Sequence, residues 1–384
     1  MLLYDLLLKG GRILDPSQNI DFIADLAIEG NKISKLSKFI SKDKAKKTID
    51  VKGKIVVPGL IDFHTHVYWG GTGIGVKPDP LCVNTGVTTM IDAGTAGAGN
   101  IEGFKTFIIE RSKCNILAFL NIAYPGICCL GKVINIPEIC DLRIADYSEA
   151  IKAGRKFDKL ICGIKVRCGT SGGGAVFGIE PIRIAKAVAK ELNKPLMVHI
   201  GRANPVTSRR ITQEALDLLE KGDILTHCFS SGNSIISQQK KLLTEVLDAR
   251  KRGVIFCVGH GSRGCSFNIA RKAINLGFLP DIISSDVHAR SIDGPAYDLL
   301  TTMSKFIHLG MGLNDVIRAV TYEPARVLGN NTEIGTLRTC SYADVAVLEL
   351  EKGEFKFEDG EGEIIIGNRR FVNNRTILRG KILN

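Results

Sequence analysis

The chain lacks any apolar stretch near the roughly 18–20 residues that crossing a bilayer requires, so no membrane-spanning helix is expected. It has no Cys-x-x-Cys pair. Its 11 cysteines are odd in number and scattered, which argues against a disulfide framework and for reduced thiols in a cytoplasmic protein. Residues 1–8 are too short and contain Asp5, so they are not expected to be a secretory leader. Positive charge is in excess, formally +11, but it is spread along the chain. Only residues 42–47 form a dense lysine cluster, and Asp43 interrupts it. That reads as a solvated loop, since a nucleic-acid face wants a basic surface with interleaved aromatics. The expected partner is a small-molecule substrate, with no nucleic acid and no membrane; a homo-oligomer stays open.

What the chain does contain is an ordered series of metal-ligand residue types, each near the end of a short apolar, β-branched run. His64 and His66 end the run 56–66, Lys165 ends 161–165, His199 ends 196–199, His227 ends 224–227 and Asp286 ends 282–286. On a strand, side chains repeat with period two, so the His64-Thr65-His66 triplet sends both imidazoles to one face. Any one histidine is more often a hydrogen-bonded core residue than a ligand; it is the conjunction that points to a metal centre. Imidazoles with a carboxylate suit zinc or a similar divalent ion. Asp62 and Asp92, also at strand ends, read as residues that orient neighbouring loops.

Three further apolar runs, 86–92, 115–120 and 253–258, complete a set of eight. Their central residues, 61, 90, 118, 163, 198, 225, 256 and 283, follow one another at steps near the roughly 30 residues that a strand, a crossover helix and two loops need. Apolar residues recur at three- and four-residue steps in 180–192, 211–221, 238–252 and 268–276, as in helices. The expected fold class is therefore α/β, a (β/α)8 TIM-type barrel spanning 58–333 with its site at the carboxyl ends of the strands. Between the third and fourth strands the excess length includes an apolar stretch, 128–141, able to cover part of the site. The flanks 1–57 and 334–384 carry short alternating β runs broken by Gly10-Gly11 and Gly30-Asn31. Neither flank alone offers enough strands to bury a face, so both ends are expected to pair into one small β-sandwich.

These residues resemble the amidohydrolase superfamily. Its binuclear members carry HxH on strand 1, a bridging carbamylated lysine on strand 4, a histidine on each of strands 5 and 6, and an aspartate on strand 8. The resemblance implies His64, His66, Lys165, His199, His227 and Asp286 as metal ligands, two divalent ions with zinc the first expectation, and carbamylated Lys165 as the bridge. An ammonium among dications would be repelled, so Lys165 there must be neutral or modified; a lysine turned to a distant carboxylate would leave a single-metal site. The implied chemistry is hydrolysis by a metal-bridged hydroxide, with Asp286 as the catalytic proton carrier. Dihydroorotases generally continue the motif as HxHxR, and here Tyr68 stands at the arginine position. The segments 163–167, 198–201, 226–229 and 258–261 look more like the dihydroorotase-related deacetylase branch. The expected substrate is accordingly an amide or ester of a small acyl-amino or acyl-hydroxy acid; a cyclic amidohydrolase of the dihydroorotase or hydantoinase type is the alternative.

Gly259-His260-Gly261-Ser262-Arg263-Gly264 matches a dinucleotide-binding fingerprint, but it follows the seventh strand and has no second Rossmann half. A glycine-rich turn beside the site more plausibly brings backbone donors, His260 or Arg263 to the substrate. Arg167 or Arg263 would then hold a carboxylate, and His260 or His288 would donate to it or to an oxyanion, with a structural role open for either arginine. Gly70–Gly75 and Ser171–Gly174 read equally as lids or as inert turns. A non-catalytic assembly protein is disfavoured because no ligand position is lost.

Overall fold

The computed structural model describes residues 3–131, 136–169, 174–200, 205–232, 235–237, 239 and 241–384. Seven of the apolar runs form one parallel sheet in sequence order: Leu60–Thr65, Val87–Gly97, Asn115–Asn121, Ile161–Cys168, Leu196–Ile200, Ile224–Thr226 and Ile255–Cys257. Helices Ile101–Phe107, Tyr147–Lys156, Glu180–Glu191, Pro205–Leu218, Thr244–Arg252 and Phe267–Asn275 alternate with or follow these strands. The strand period of two is plain in the packing. Ile61, Ile91, Phe119, Met197, Ile224 and Ile255 join one buried cluster, while the intervening Leu60, Met90, Leu120, Val198, Leu225 and Phe256 join the cluster shared with the helices.

The eighth run makes no ladder. Ile282 bridges Cys257 and Val287 bridges Thr65, both parallel and both isolated. Two features account for this. The Ser285 amide bonds Asp62 Oδ1 at 2.9 Å instead of a neighbouring backbone carbonyl, and Asp286 takes a left-handed φ of 48°. The run is still tied on both sides: Val258 N donates to Ile282 O, and Asp286 N donates to His64 O at 2.7 Å.

The two flanks pair as expected, their strands hydrogen-bonded into one eight-stranded, mainly antiparallel sheet. Val345–Leu348 lies antiparallel to Ile55–Pro58, joining the C-terminal strands to the N-terminal ones. Strand Tyr4–Asp15 changes parallel partner along its length, from Ala45–Asp50 to Ile55–Pro58, at a register break where Gly10 has φ 74°. A long hairpin, Val345–Glu358 with Ile364–Leu378, reaches back onto helices Phe267–Asn275 and Leu299–His308. Phe267 N donates to its Asp359 Oδ2 at 2.7 Å, and its Phe371 N donates to Ser304 Oγ at 2.9 Å. No disulfide joins the cysteines. Among the described residues, no helix is long and apolar enough to cross a membrane.

Candidate metal centre

Leu60–Thr65 ends in the HxH motif, and the backbone tie between Asp286 and His64 brings the eighth run against it. Ligand atoms of His64, His66 and Asp286, all buried, lie within 4.8 Å of one another. Asp286 Oδ1 stands 3.4 Å from His64 Nε2 and 3.2 Å from His66 Nε2. Donors around a tetrahedral zinc, at about 2.0–2.1 Å each, stand about 3.3 Å apart. Asp286 Oδ1 is also buried without a hydrogen-bond partner, an arrangement that costs free energy unless a cation completes it. The donor set fits a divalent ion.

The other predicted ligands adjoin these three. Lys165 is fully buried, with Nζ 3.4 Å from His64 Nε2 and 3.5 Å from Met197 Sδ. The His227 ring centroid is 5.1 Å from that of His64, and His227 Nε2 is 2.7 Å from His199 Nδ1. Burial is the first cause of every strong shift here. It pushes His66 down to about 3, His227 to about 4, and His64 and His199 well below the usual imidazole value. It lowers Lys165 to about 8 and raises Asp62 to about 7. The histidines are thus neutral at pH 7, with lone pairs to offer a metal.

Hydroxyls and one carbonyl aim the rings. Thr226 Oγ1 lies 2.8 Å from His64 Nδ1, Thr95 Oγ1 2.8 Å from His66 Nδ1, and Gly259 O accepts from His227 Nδ1 at 2.6 Å. Asp92 in turn accepts from Val67 N in the loop after the first strand, and from Thr95 N and Thr95 Oγ1 on its own strand, so it ties that loop and the ring-orienting hydroxyl of Thr95 together.

The four expected substrate-binding residues differ in their surroundings. Arg167 donates to Glu138 Oε2 at 3.1 Å, and both side chains are largely buried. His288 accepts from Arg290 N at Nδ1 (3.0 Å), so its ring proton sits on Nε2; its ring centroid is 6.0 Å from His66, and burial lowers it to about 4. The two nitrogens of His260 are engaged within the protein, Nδ1 2.9 Å from Gly261 O and Nε2 2.9 Å from Lys305 Nζ. Arg263 is exposed. Tyr68 stacks on Phe104 at 4.7 Å, packing the first βα connection against helix Ile101–Phe107, which follows the second strand. In the first glycine-rich segment, Gly73 and Gly75 are pressed against backbone, at Gly131 and Tyr68 respectively. Ser171-Gly172-Gly173 lie outside the described residues.

Sequence reasoning missed Thr95, Thr226, Glu138 and Lys305. Glu138 belongs to the long connection already marked as a cover, and it reaches Asn121 Nδ2 (3.4 Å) as well as Arg167. The other three carry no motif.

Residues 55–383 match the amidohydrolase family. A protein of Brucella anthropi named deacetylase is 34% identical over 357 residues, covering 92% of this chain and 86% of its own length. A crystal structure of an adenine deaminase superposes with a TM-score of 0.89 at 34% identity, over 99% of both chains. One of a dihydroorotase gives 0.87 at 31%, over 98% of this chain and 97% of its own. A match that runs from the first ligand strand to the C-terminal hairpin, at this level of identity, means that the chain belongs to the amidohydrolase family.

Proposed function

We propose that the chain is a metal-dependent deacetylase that cleaves an amide or ester of a small acyl-amino or acyl-hydroxy acid. The observation that carries this is the orphaned, buried Asp286 Oδ1 set between two histidine nitrogens at the spacing of a tetrahedral site. His64, His66, Lys165, His199, His227 and Asp286 offer more donors than one tetrahedral ion takes, so two ions, zinc by donor type, are the reading adopted. Lys165 would serve as their bridge once carbamylated. Its burial with Nζ against His64 and Met197, rather than in an ion pair with a carboxylate among the described residues, favours that modification. Residues 58–333 then form the catalytic barrel, with the eighth run as its closing strand, and 1–57 with 334–384 form the accessory domain.

The bound ions would lower the pKa of water and polarise the scissile carbonyl. Asp286 takes a proton from the attacking water and hands it to the departing nitrogen or oxygen. His288 presents Nε2–H to the oxyanion or to a substrate carboxylate. Arg167, held by Glu138, supplies positive charge for the same carboxylate.

The test is elemental analysis of reconstituted protein, followed by a panel of N-acetyl amino acids, O-acetyl hydroxy acids, dihydroorotate, hydantoins and adenine. Protein without bound metal, or turnover confined to a cyclic amide or to adenine, overturns the reading. The likeness to a dihydroorotase makes the cyclic amidohydrolase the second reading. Against it, Tyr68 is committed to Phe104 and supplies no carboxylate-binding charge.

A further inference from the structure

The turn after strand Ile255–Cys257 touches two of the proposed ligands through backbone alone. Gly259 O accepts from His227 Nδ1. Gly261, at φ 52°, lies so close to Asp286 that a Cβ there would meet Oδ2 at 2.2 Å; one on Gly264 would meet His227 Nδ1 at 2.4 Å. Wherever this turn sits, Asp286 and His227 follow. Catalytic geometry tolerates displacements of only about 0.5 Å, so something must hold the turn in place.

Part of the hold is backbone: His260 N donates to Ser284 O at 3.1 Å and Gly261 N to Ser285 O at 2.9 Å. The rest comes from a buried pair with no part in the hydrolytic steps above. Lys305, on helix Leu299–His308, is fully buried; its Nζ is 2.9 Å from His260 Nε2 and also donates to Pro295 O. An ammonium has donors only, so Nε2 must accept, and the ring proton is left on Nδ1. That proton faces Gly261 O at 2.9 Å. The neighbouring buried carboxylate, Asp359, is taken up by the amides of Phe267, Glu361 and Glu363. A lysine buried against an imidazole and a carbonyl is costly and unexplained by packing alone.

We propose that Lys305 is a positioning residue for the hydrolytic centre: by donating to His260 it fixes that ring's tautomer, and through the Gly261 carbonyl it holds the turn against Asp286 and His227. This rests on the reading of Asp286 as the proton carrier.

The experiment is a double-mutant cycle of Lys305→Met and His260→Gln in the metal-loaded enzyme. Metal content, thermal midpoint, kcat and KM are read for each, with Asp286→Asn alongside. Each single variant should lower kcat about 10- to 100-fold, the worth of one charge-assisted hydrogen bond, with KM and metal content unchanged. The double variant should be no worse than the poorer single one, because both cut the same path. Lys305→Gln, whose amide can still donate to Nε2, should recover part of kcat, and it replaces Lys305→Met in the cycle if that variant does not fold. Unchanged kcat, additive losses, or a kcat that falls only as metal is lost would overturn the proposal. An active Asp286→Asn would overturn the underlying reading instead. An inactive Asp286→Asn beside a fully active Lys305→Met defeats the positioning role alone.

Discussion

Thr226 Oγ1 stands 2.8 Å from His64 Nδ1, and this contact decides which nitrogen of His64 is aimed at Asp286. With the Nδ1 proton donated to the hydroxyl, Nε2 keeps its lone pair and lies 3.4 Å from the orphaned carboxylate oxygen. Groups that orient a ligating histidine in this way are typically worth about 10- to 100-fold in metal affinity. Thr226→Val should therefore weaken metal binding by about that factor in a chelator competition. Thr95→Val should do the same through His66, 2.8 Å away. Wild-type affinity in both variants would show that the rings are held by packing alone.

The acid limit of metal retention follows from the same burial. His66 is pushed down to about 3 and His227 to about 4. A lowered imidazole pKa keeps the ring neutral to lower pH, so protons compete with the metal only below that value. Dialysis at stepped pH followed by elemental analysis should show metal kept at pH 6 and released as the pH falls through about 4. Release centred near the ordinary histidine value, about 6.5, would contradict the burial of these rings.

Lys165 offers a direct chemical test. Its amine is buried beside His64, and burial lowers it to about 8, so a neutral fraction able to take up CO2 exists near neutral pH. Carbon-13 bicarbonate should label the metallated protein, and Lys165→Ala should lose activity and regain part of it with a short carboxylic acid. Labelling of the same size in Lys165→Ala would place the adduct elsewhere.

Part of this candidate centre was legible in the chain because period-two strands make ligand spacing readable: His64 and His66 share a face and His199 and His227 lie at strand ends, whereas Lys165 sits three residues before the end of Ile161–Cys168 and Asp286 lies on a run outside the ladder. The helix at 180–192 was readable nearly to the residue, observed as Glu180–Glu191, because its apolar stripe is strong. The one at 238–252 begins six residues later, at Thr244, where Leu243 ends an extended approach. The eighth run read as a strand but leaves the ladder, since the Asp62 side chain competes for the Ser285 amide, and a side-chain acceptor has no period. Tyr68 was set beside the site by motif position. Its ring stacks on Phe104 instead, a contact across 36 residues that does not show in the sequence. His260 read as a substrate donor because its partner, Lys305, lies 45 residues away.

The Arg167–Glu138 pair gives the last prediction, on specificity. The guanidinium is 3.1 Å from a carboxylate that is itself nearly inaccessible, so Glu138 both holds Arg167 and competes for its charge. If Arg167 receives the substrate carboxylate, Arg167→Met removes a charge-assisted contact. KM for an acyl amino acid should then rise about 10- to 100-fold, and KM for its methyl ester should change little. Glu138→Gln keeps an acceptor but removes the competing charge, so KM for the acid should fall relative to the ester, while stability declines because the arginine loses its buried counter-ion. Side-by-side kinetics on the acid and its ester check both variants. Equal shifts for the two substrates would return the pair to a structural role and leave His288 as the carboxylate's partner.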